Sequence, residues 1–175
     1  MTPHYRGMDR AALDAAYNNT LAVADSARLL ADFDARSARM RRERGTALDL
    51  RYGAAPRNRI DYFAGANGAP LLVFIHGGYW RSLDKADHSF VAPALHELGA
   101  AVVVPNYDLC PAVTIPEIVM QMVQAVAWTW RHAREFGGDP SRIRVVGHSA
   151  GGHLATMMLA CNGRQVGSDL PADLV

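Results

Sequence analysis

The sequence predicts an α/β fold in which a doubly wound, mostly parallel sheet carries helices on both faces. Short apolar runs alternate along the chain with longer segments in which apolar residues recur at helical spacing. Such alternation is typical of parallel strands joined by helical crossovers. The runs at residues 71–75 and 101–104 are apolar throughout, as expected of central strands that are covered on both faces.

The N-terminal residues predict a helical segment that precedes the sheet. Asp9 is suited to cap a short helix that reaches Tyr17, and a second helix is predicted from Asp25 through the basic stretch at residues 39–44 to Gly45. Cations suit the C-terminus of a helix, so we interpret the basic stretch as a solvated face. We therefore predict a helical segment at residues 1–46, which packs on the domain, and one α/β domain at residues 47–175.

Five strands and three further helices are predicted within the domain. The strands are expected at residues 47–52, 59–64, 71–75, 101–104 and 143–146, the first two as an antiparallel hairpin at one edge of the sheet. The helices are expected at residues 89–98, 114–137 and 154–160. Thr114 and Glu117 provide a capping box for the middle helix. Residues 138–141 are expected to turn the chain into the last strand.

The segment at residues 147–151 reads Gly-His-Ser-Ala-Gly and lies between a predicted strand and a predicted helix. In this context a serine nucleophile is presented on a sharp strand-to-helix turn. Gly147 and Gly151 suit such a turn because side chains there would collide with the neighbouring backbone. Ser149 is therefore the predicted catalytic nucleophile.

A second motif, His76-Gly77-Gly78-Tyr79-Trp80, directly follows the apolar run at residues 71–75. A serine hydrolase needs donors directed at the oxyanion, and backbone N–H groups supply them without ionising. We predict that Gly77 and Gly78 form the oxyanion hole together with Ala150, the residue after the nucleophile. His76 is expected to brace this loop by hydrogen bonding. The two motifs in this order are more specific than either alone.

These motifs resemble those of the α/β-hydrolase superfamily, in the branch of His-Gly-Gly esterases. Within it the sequence resembles the kynurenine formamidases (arylformamidases) and their bacterial esterase relatives. Three features carry the narrower resemblance: Tyr79-Trp80 after the two glycines, Asn106-Tyr107-Asp108-Leu109 after the next strand, and the helical segment around residues 5–19. The resemblance implies hydrolysis of N-formylkynurenine to kynurenine and formate. A general short-acyl carboxylesterase on the same scaffold stays open.

Tyr79, Trp80 and His148 are predicted to contact the substrate. A ring at Tyr79 leaves less room for a long acyl chain and offers a face to an aromatic leaving group. His148 lies inside the serine turn, where its side chain lines the pocket or packs. We therefore expect formyl and acetyl groups to be preferred over longer acyl groups.

The residues after Ser149 hold no evident acid and base for a catalytic triad, whose expected order is serine, carboxylate, histidine. His153 is the only histidine there, and Asp169 and Asp173 are the only carboxylates. We interpret His153 as a structural residue on the packing surface of its helix, and both carboxylates as loop residues that come too early. We therefore expect a C-terminally incomplete α/β-hydrolase domain, part of a protein of roughly 250 to 300 residues. On this view the chain alone is poorly soluble and inactive, and a non-catalytic protein is the alternative of another class.

Composition and charge exclude several classes of function. The chain has 50% hydrophobic and 20% charged residues and a net charge of +1, so neither nucleic acid nor membrane is a predicted partner. Two cysteines, Cys110 and Cys161, do not indicate a disulfide framework and favour a cytoplasmic location. No metal-ligand spacing and no phosphate-binding loop is found, so neither metal nor cofactor is expected. A small-molecule substrate is the predicted partner, and a homodimer is left open.

Overall fold

The sheet has five strands, whose order differs from their order in the chain. The computed structural model describes residues 5–44 and 47–175. The strands are β1 Ala47–Arg51, β2 Arg59–Phe63, β3 Ala69–Ile75, β4 Ala101–Pro105 and β5 Gly138–Gly147, arranged as β1-β2-β4-β3-β5. β2 pairs antiparallel with β1 and β4, whereas β3 pairs parallel with β4 and β5. Only β2 therefore runs against the others, which confirms the mostly parallel sheet with an antiparallel hairpin at one edge. β5 forms the other edge.

Seven α-helices and two 3-10 helices accompany the sheet in the described residues. The α-helices are α1 Arg10–Tyr17, α2 Asn19–Ala22, α3 Ser26–Arg44, α4 Ala92–Glu97, α5 Ile115–His132, α6 Ala150–Met158 and α7 Gly163–Val166. The 3-10 helices are Lys85–Val91 and Ala133–Phe136. Thr114 and Glu117 form the predicted capping box, and Gly137 ends the helical run with φ 77°. Within the described ranges no helix is long and apolar enough to cross a membrane.

The hydrophobic core lies on both faces of the sheet because successive side chains of a strand point to opposite faces. On one face the strands pack against α5 and α6, in a core that includes Leu71, Val73, Val103, Ile118, Met122 and Leu154. On the other face they pack against α3 and α4, in a core that includes Met40, Phe63, Ala92, Val102 and Val104. Burying each of these side chains other than that of Ala92 stabilises the fold by about 1.5–3 kcal/mol. The two clusters confirm the predicted doubly wound arrangement.

Three predicted boundaries are wrong. The helix expected at residues 89–98 is a 3-10 helix from Lys85, capped by Asp84, followed by α4 with proline in its first turn. β5 begins at Gly138 instead of turning there, because that residue pairs with Ala69 across an irregular register. α6 begins at Ala150, four residues early, because two glycines there weaken the helical pattern in the sequence.

The N-terminal helices differ in how closely they contact the rest of the molecule. Asp9 caps α1 as predicted by accepting a hydrogen bond from Ala12 N, and no residue of α1 is buried. In α3, Ser37 Oγ donates to Asp87 O at 2.9 Å, and Phe33 stacks on Phe90 with ring centroids 4.5 Å apart. α3 is therefore anchored to the 3-10 helix Lys85–Val91. The predicted stop at Gly45 and the boundary at residue 46 lie outside the described residues.

Candidate active site

Ser149 occupies the turn between β5 and α6. Its backbone has φ 54° and ψ −119°, and α6 begins at the next residue. Its side chain is exposed. A non-glycine residue in this conformation is strained, and such strain clusters at functional sites. Ser149 is thus presented on the sharp strand-to-helix turn that the sequence predicts, and its role as nucleophile stays a prediction.

The glycines around Ser149 let three backbone segments meet. A Cβ added at Gly147 would overlap Gly151 O, and one added at Gly151 would overlap Ile75 O at the end of β3. The turn therefore packs on itself and on the strand that carries the glycine loop. Only residues without side chains fit these two positions.

The loop after β3 lies directly against the serine turn. A Cβ built on Gly77 would lie 3.1 Å from Ser149 Cβ and 2.9 Å from His148 O. Gly78 has φ 103°, a conformation that favours glycine. The glycine loop and the serine turn are therefore in contact, as predicted.

Tyr107 sets the orientation of the two peptides in this loop. Its hydroxyl lies 2.9 Å from His76 O and 3.0 Å from Gly77 O and shares its single proton between these two acceptors. In a trans peptide the N–H points away from the carbonyl. The N–H groups of Gly77 and Gly78 therefore face away from Tyr107.

The N–H groups of Gly77, Gly78 and Ala150 have no hydrogen-bond acceptor among the described residues. That of Ala150 opens α6, where the helix dipole adds partial positive charge. Unpaired backbone donors beside an exposed serine are suited to hold an oxyanion. Their assignment to the oxyanion hole stays a prediction.

His76 lies behind the loop and is fully buried. Its ring stacks on Tyr107 with centroids 4.3 Å apart. Nδ1 lies 2.8 Å from Gly77 O, and Nε2 lies 3.0 Å from Asn106 Oδ1. Burial lowers the pKa of His76 to about 4, so the ring is neutral near pH 7 and donates to one of these oxygens only. His76 braces the loop as expected.

Asn106 links His76 to a charged pair that the sequence did not reveal. Its Nδ2 donates to Asp84 Oδ2 at 2.6 Å, and its Oδ1 accepts from Arg57 Nη2 at 3.0 Å. Burial opposes ionisation of Asp84, but hydrogen bonds from Ala86 N and Asn106 outweigh it, and the pKa of Asp84 is lowered. Arg57 comes from the turn between β1 and β2, and no pattern in the sequence marks it as a partner of this loop.

A charge cluster of Arg41, Asp49, Asp61 and Lys85 continues this region, with Asp61 and Lys85 buried and Asp49 at its exposed end. Lys85 is 3% exposed, and its Nζ donates to Asp61 Oδ1 at 2.8 Å and to Asp49 Oδ1 at 2.6 Å. Arg41 of α3 also pairs with Asp61. The hydrogen bond from Lys85 lowers the pKa of Asp49. The cluster joins α3 to β1, β2 and the segment next to Asn106.

Of the three residues predicted to contact substrate, Tyr79 and Trp80 belong to the glycine loop and His148 lies beside it. Tyr79 is 56% exposed. Trp80 is half-buried, its carbonyl accepts from Cys110 N at 2.8 Å, and its indole meets the His153 ring edge-on at 5.3 Å. His148 is exposed beside Gly77. We predicted that His153 faces the packing surface of its helix. This prediction is wrong, because His153 is exposed and its ring contacts Trp80.

The remaining candidate groups are engaged elsewhere or isolated. Asp169 pairs with Arg131 at 2.8 Å, and Asp173 is exposed. Across residues 5–44 and 47–175, no group of three histidine, cysteine or acidic side chains could hold a metal ion. The two cysteines are free.

Comparison with known proteins identifies the family of this chain. Residues 63–171, more than half of the chain, match the model of the BD-FAE family. The chain belongs to the BD-FAE family. It is an α/β-hydrolase related to kynurenine formamidase, as the sequence motifs indicate.

Individual relatives of this BD-FAE chain are hydrolases of several kinds. The kynurenine formamidase of Drosophila melanogaster is 35% identical over 121 residues, which cover 67% of this chain and 39% of that protein. The isoprenylcysteine alpha-carbonyl methylesterase of Arabidopsis thaliana is 36% identical over 111 residues, covering 62% of this chain and 26% of that protein. The crystal structure of a candidate thioesterase from a Silicibacter species has a TM-score of 0.72 and 40% identity over 84% of this chain and 55% of that one. The chain thus spans about two fifths of the Drosophila enzyme's length.

Proposed function

We propose that the full-length protein is a serine hydrolase, and specifically an arylformamidase that releases formate from an N-formylated aromatic amine such as N-formylkynurenine. One observation carries the proposal. Ser149 is exposed on a strained turn at φ 54°, and Gly77 lies against its Cβ. Nucleophile and oxyanion donors are therefore adjacent, which is the arrangement that acyl transfer requires.

The reaction proceeds through a formyl-enzyme. Ser149 Oγ attacks the formyl carbon while its proton passes to a histidine base. The N–H groups of Gly77, Gly78 and Ala150 hold the oxyanion, and each lowers the barrier by about 3 kcal/mol. The C–N bond then breaks, and the aromatic amine leaves with the proton from the histidine. Water attacks the formyl ester, formate departs, and Ser149 regains its proton.

The histidine base and its carboxylate are a separate part of the proposal. His153 is the only histidine after Ser149, and its ring rests against Trp80. Asp169 is held by Arg131. Because the matched part of the chain covers 39% of the Drosophila formamidase, we place both groups in a part of the full-length protein that has no counterpart in this chain.

An aromatic formamide is favoured over other acyl substrates for two reasons. The kynurenine formamidases of Drosophila melanogaster and Danio rerio are 35% and 32% identical to the chain. Tyr79 is 56% exposed next to Gly78, where its ring can face an aromatic leaving group. The alternative is a short-acyl carboxylesterase; the similarity to the Arabidopsis methylesterase supports ester hydrolysis.

The test compares kcat/KM of the full-length protein for N-formylkynurenine, p-nitrophenyl acetate and p-nitrophenyl butyrate. An arylformamidase has its highest value for the formamide, whereas a higher value for butyrate assigns the carboxylesterase. Ser149→Ala should lower every activity by at least about 10⁴-fold. Ser168→Ala, at an exposed serine away from the turn, should leave them unchanged. A folded protein that hydrolyses none of the three, and whose Ser149 resists a fluorophosphonate probe, would be non-catalytic.

A further inference from the structure

The loop at residues 76–84, between β3 and the following 3-10 helix, has an uncommon backbone conformation. Tyr79, Trp80 and Leu83 have φ of 52°, 57° and 72°. Residues with side chains rarely adopt this left-handed conformation, and it persists only where the surroundings hold it. The same loop carries the N–H groups of the two glycines proposed for the oxyanion hole. The contacts that hold the two ends of the loop therefore decide where these donors lie.

One guanidinium contacts both the end of this loop and the residue that supports its beginning. Arg57 lies in the turn between β1 and β2. Its Nη2 donates to Leu83 O at 2.8 Å, and its Nε donates to Tyr107 O at 2.8 Å. The Tyr107 hydroxyl in turn holds the first two carbonyls of the loop. Arg57 thus connects the two ends of the loop through a single planar group.

The remaining contacts of Arg57 fix the position of its own side chain. Its Nη2 also donates to Asn106 Oδ1 at 3.0 Å, and its Nη1 pairs with Asp84 Oδ2 at 3.2 Å. Asn106 Nδ2 donates to the same carboxylate oxygen at 2.6 Å. A guanidinium presents its donors in a rigid planar fork. The groups that accept from Arg57 are therefore held at set distances from one another, which an ammonium group cannot achieve.

We propose that Arg57 is a positioning residue for the oxyanion hole. Among the described residues it forms no hydrogen bond or ion pair with Ser149 or with the two loop glycines. It acts through Tyr107 and Leu83, whose carbonyls it binds, and so directs the glycine N–H groups at the oxyanion. The inference rests on the proposed function, because it needs Ser149 as the nucleophile, but it does not depend on which acyl group is transferred.

The first test measures kcat and KM of the full-length protein for the best of the three substrates named above. Arg57→Ala should lower kcat about tenfold to hundredfold and change KM less than about twofold, because a small displacement of catalytic groups has effects of this size. Arg51→Ala is the matched control, since Arg51 binds Gly53 O and Ala54 O in the same turn and forms no hydrogen bond with the loop among the described residues. An unchanged kcat in Arg57→Ala, or an equal loss in Arg51→Ala, would overturn the proposal.

A second variant distinguishes the geometry of Arg57 from its charge. Arg57→Lys keeps the positive charge but not the planar fork, so it should recover only part of the kcat that Arg57→Ala loses. Full recovery would assign the effect to charge and reject the positioning role. If Arg57→Ala does not fold, Arg57→Lys is compared directly with the unaltered protein. Its kcat should then be lower by about threefold to tenfold at constant KM, and an equal kcat rejects the role.

Hydrogen exchange separates this inference from the proposed function, because it does not require catalysis. The N–H groups of Arg81 and Ser82 donate to one carbonyl within the loop, so their exchange reports on its order. In the full-length protein, Arg57→Ala should accelerate exchange at residues 76–84 at least about fivefold and leave β4 unchanged. This result supports the role of Arg57 in holding the loop even when no substrate is hydrolysed. Unchanged exchange in the loop, or equal acceleration in β4, rejects that role whatever the activity. Hydrolysis that does not depend on Arg57 would leave the proposed function standing alone.

Discussion

The loop after β3 has an open side that faces Ser149 and a buried side that faces Asn106, and the two sides differ in how their polar groups are paired. On the open side, the N–H groups of Gly77 and Gly78 have no acceptor among the described residues. On the buried side, the carbonyls of His76 and Gly77 share the hydroxyl proton of Tyr107. Asn106 joins His76 to Asp84 beneath them.

This difference shows how a folded chain can keep reactive groups unpaired. Unsatisfied donors and positive φ values cost free energy, and they persist only where the surroundings over-determine them. Here the contacts on the buried side fix the loop conformation, because they hold the His76 and Gly77 peptides through their carbonyl groups. The open side is therefore preorganised by contacts that a substrate never touches.

The largest effect is expected from Gly151→Ala, which places a side chain between the serine turn and the end of β3. The new Cβ would overlap the backbone carbonyls of Ile75 and His76, so strand and turn cannot both keep their positions. We expect the free energy of unfolding to fall by more than about 4 kcal/mol, measured by urea unfolding. Gly152→Ala is the matched control, since its Cβ would lie 3.3 Å from Gly147 O. A cost similar to that of Gly151→Ala would contradict the close approach.

A somewhat smaller loss is expected when the buried side loses its cation. Lys85→Met leaves Asp61, which is fully buried, without one of its two cationic partners. Breaking a buried ion pair costs about 3–5 kcal/mol, and we expect the lower end because Arg41 remains. Arg28→Met breaks an exposed pair with Asp25 and should cost less than about 1 kcal/mol. Equal midpoints of urea unfolding for both variants would show that the cluster adds no stability.

Acid should destabilise the buried side of the loop. The pKa of His76 is lowered to about 4 by burial, whereas an unfolded histidine titrates near 6.5. Between pH 4 and pH 6.5 the histidine binds a proton in the unfolded chain but not in the folded one. The contribution of neutral His76 to the free energy of unfolding is therefore complete above pH 6.5 and is lost as pH falls toward 4. The difference corresponds to about 3 kcal/mol. His88, which stacks on His76 at 5.5 Å and also has a lowered pKa, acts in the same direction.

Urea unfolding at several pH values between 7 and 4 measures this loss. His76→Gln should reduce the pH dependence without abolishing it, because His88 remains. A variant whose stability falls with pH as steeply as that of the unaltered protein would show that His76 is not the group that titrates.

The smallest effect on stability, but one that separates the two sides, is expected from Tyr107→Phe. The substitution removes the hydroxyl that holds two loop peptides and should cost about 1–2 kcal/mol. It should lower kcat of the full-length protein about tenfold with little change in KM, because the donors are no longer directed at the oxyanion. Tyr62→Phe removes another buried hydroxyl, which donates to Phe136 O at 3.3 Å, and should leave kcat unchanged. A fall in kcat in both variants would assign the effect to general loosening.

The sequence predicts best those helices and strands whose residues show a clear local pattern. Apolar runs mark β3 and β4 because β4 is buried on both faces and β3 is buried on one face and partly buried on the other, and the capping box marks the start of α5. The predicted start of β5 was wrong because pairing with a distant strand extends it to Gly138. The predicted start of α6 was wrong because Gly151 and Gly152 weaken the helical pattern in the sequence. His153 was misplaced because helical spacing alone does not show that Trp80 lies beside it.

The sequence by itself determined the α/β class, the family and the two glycine motifs, because each depends on residues close together in the chain. Only the tertiary structure decided how these motifs are supported. Arg57, Asp84 and Asn106 come from three separate segments and meet through side-chain hydrogen bonds. Long-range contacts of this kind leave no periodic trace in a sequence, since they depend on how strands are ordered in the sheet and not on the spacing of residues along the chain.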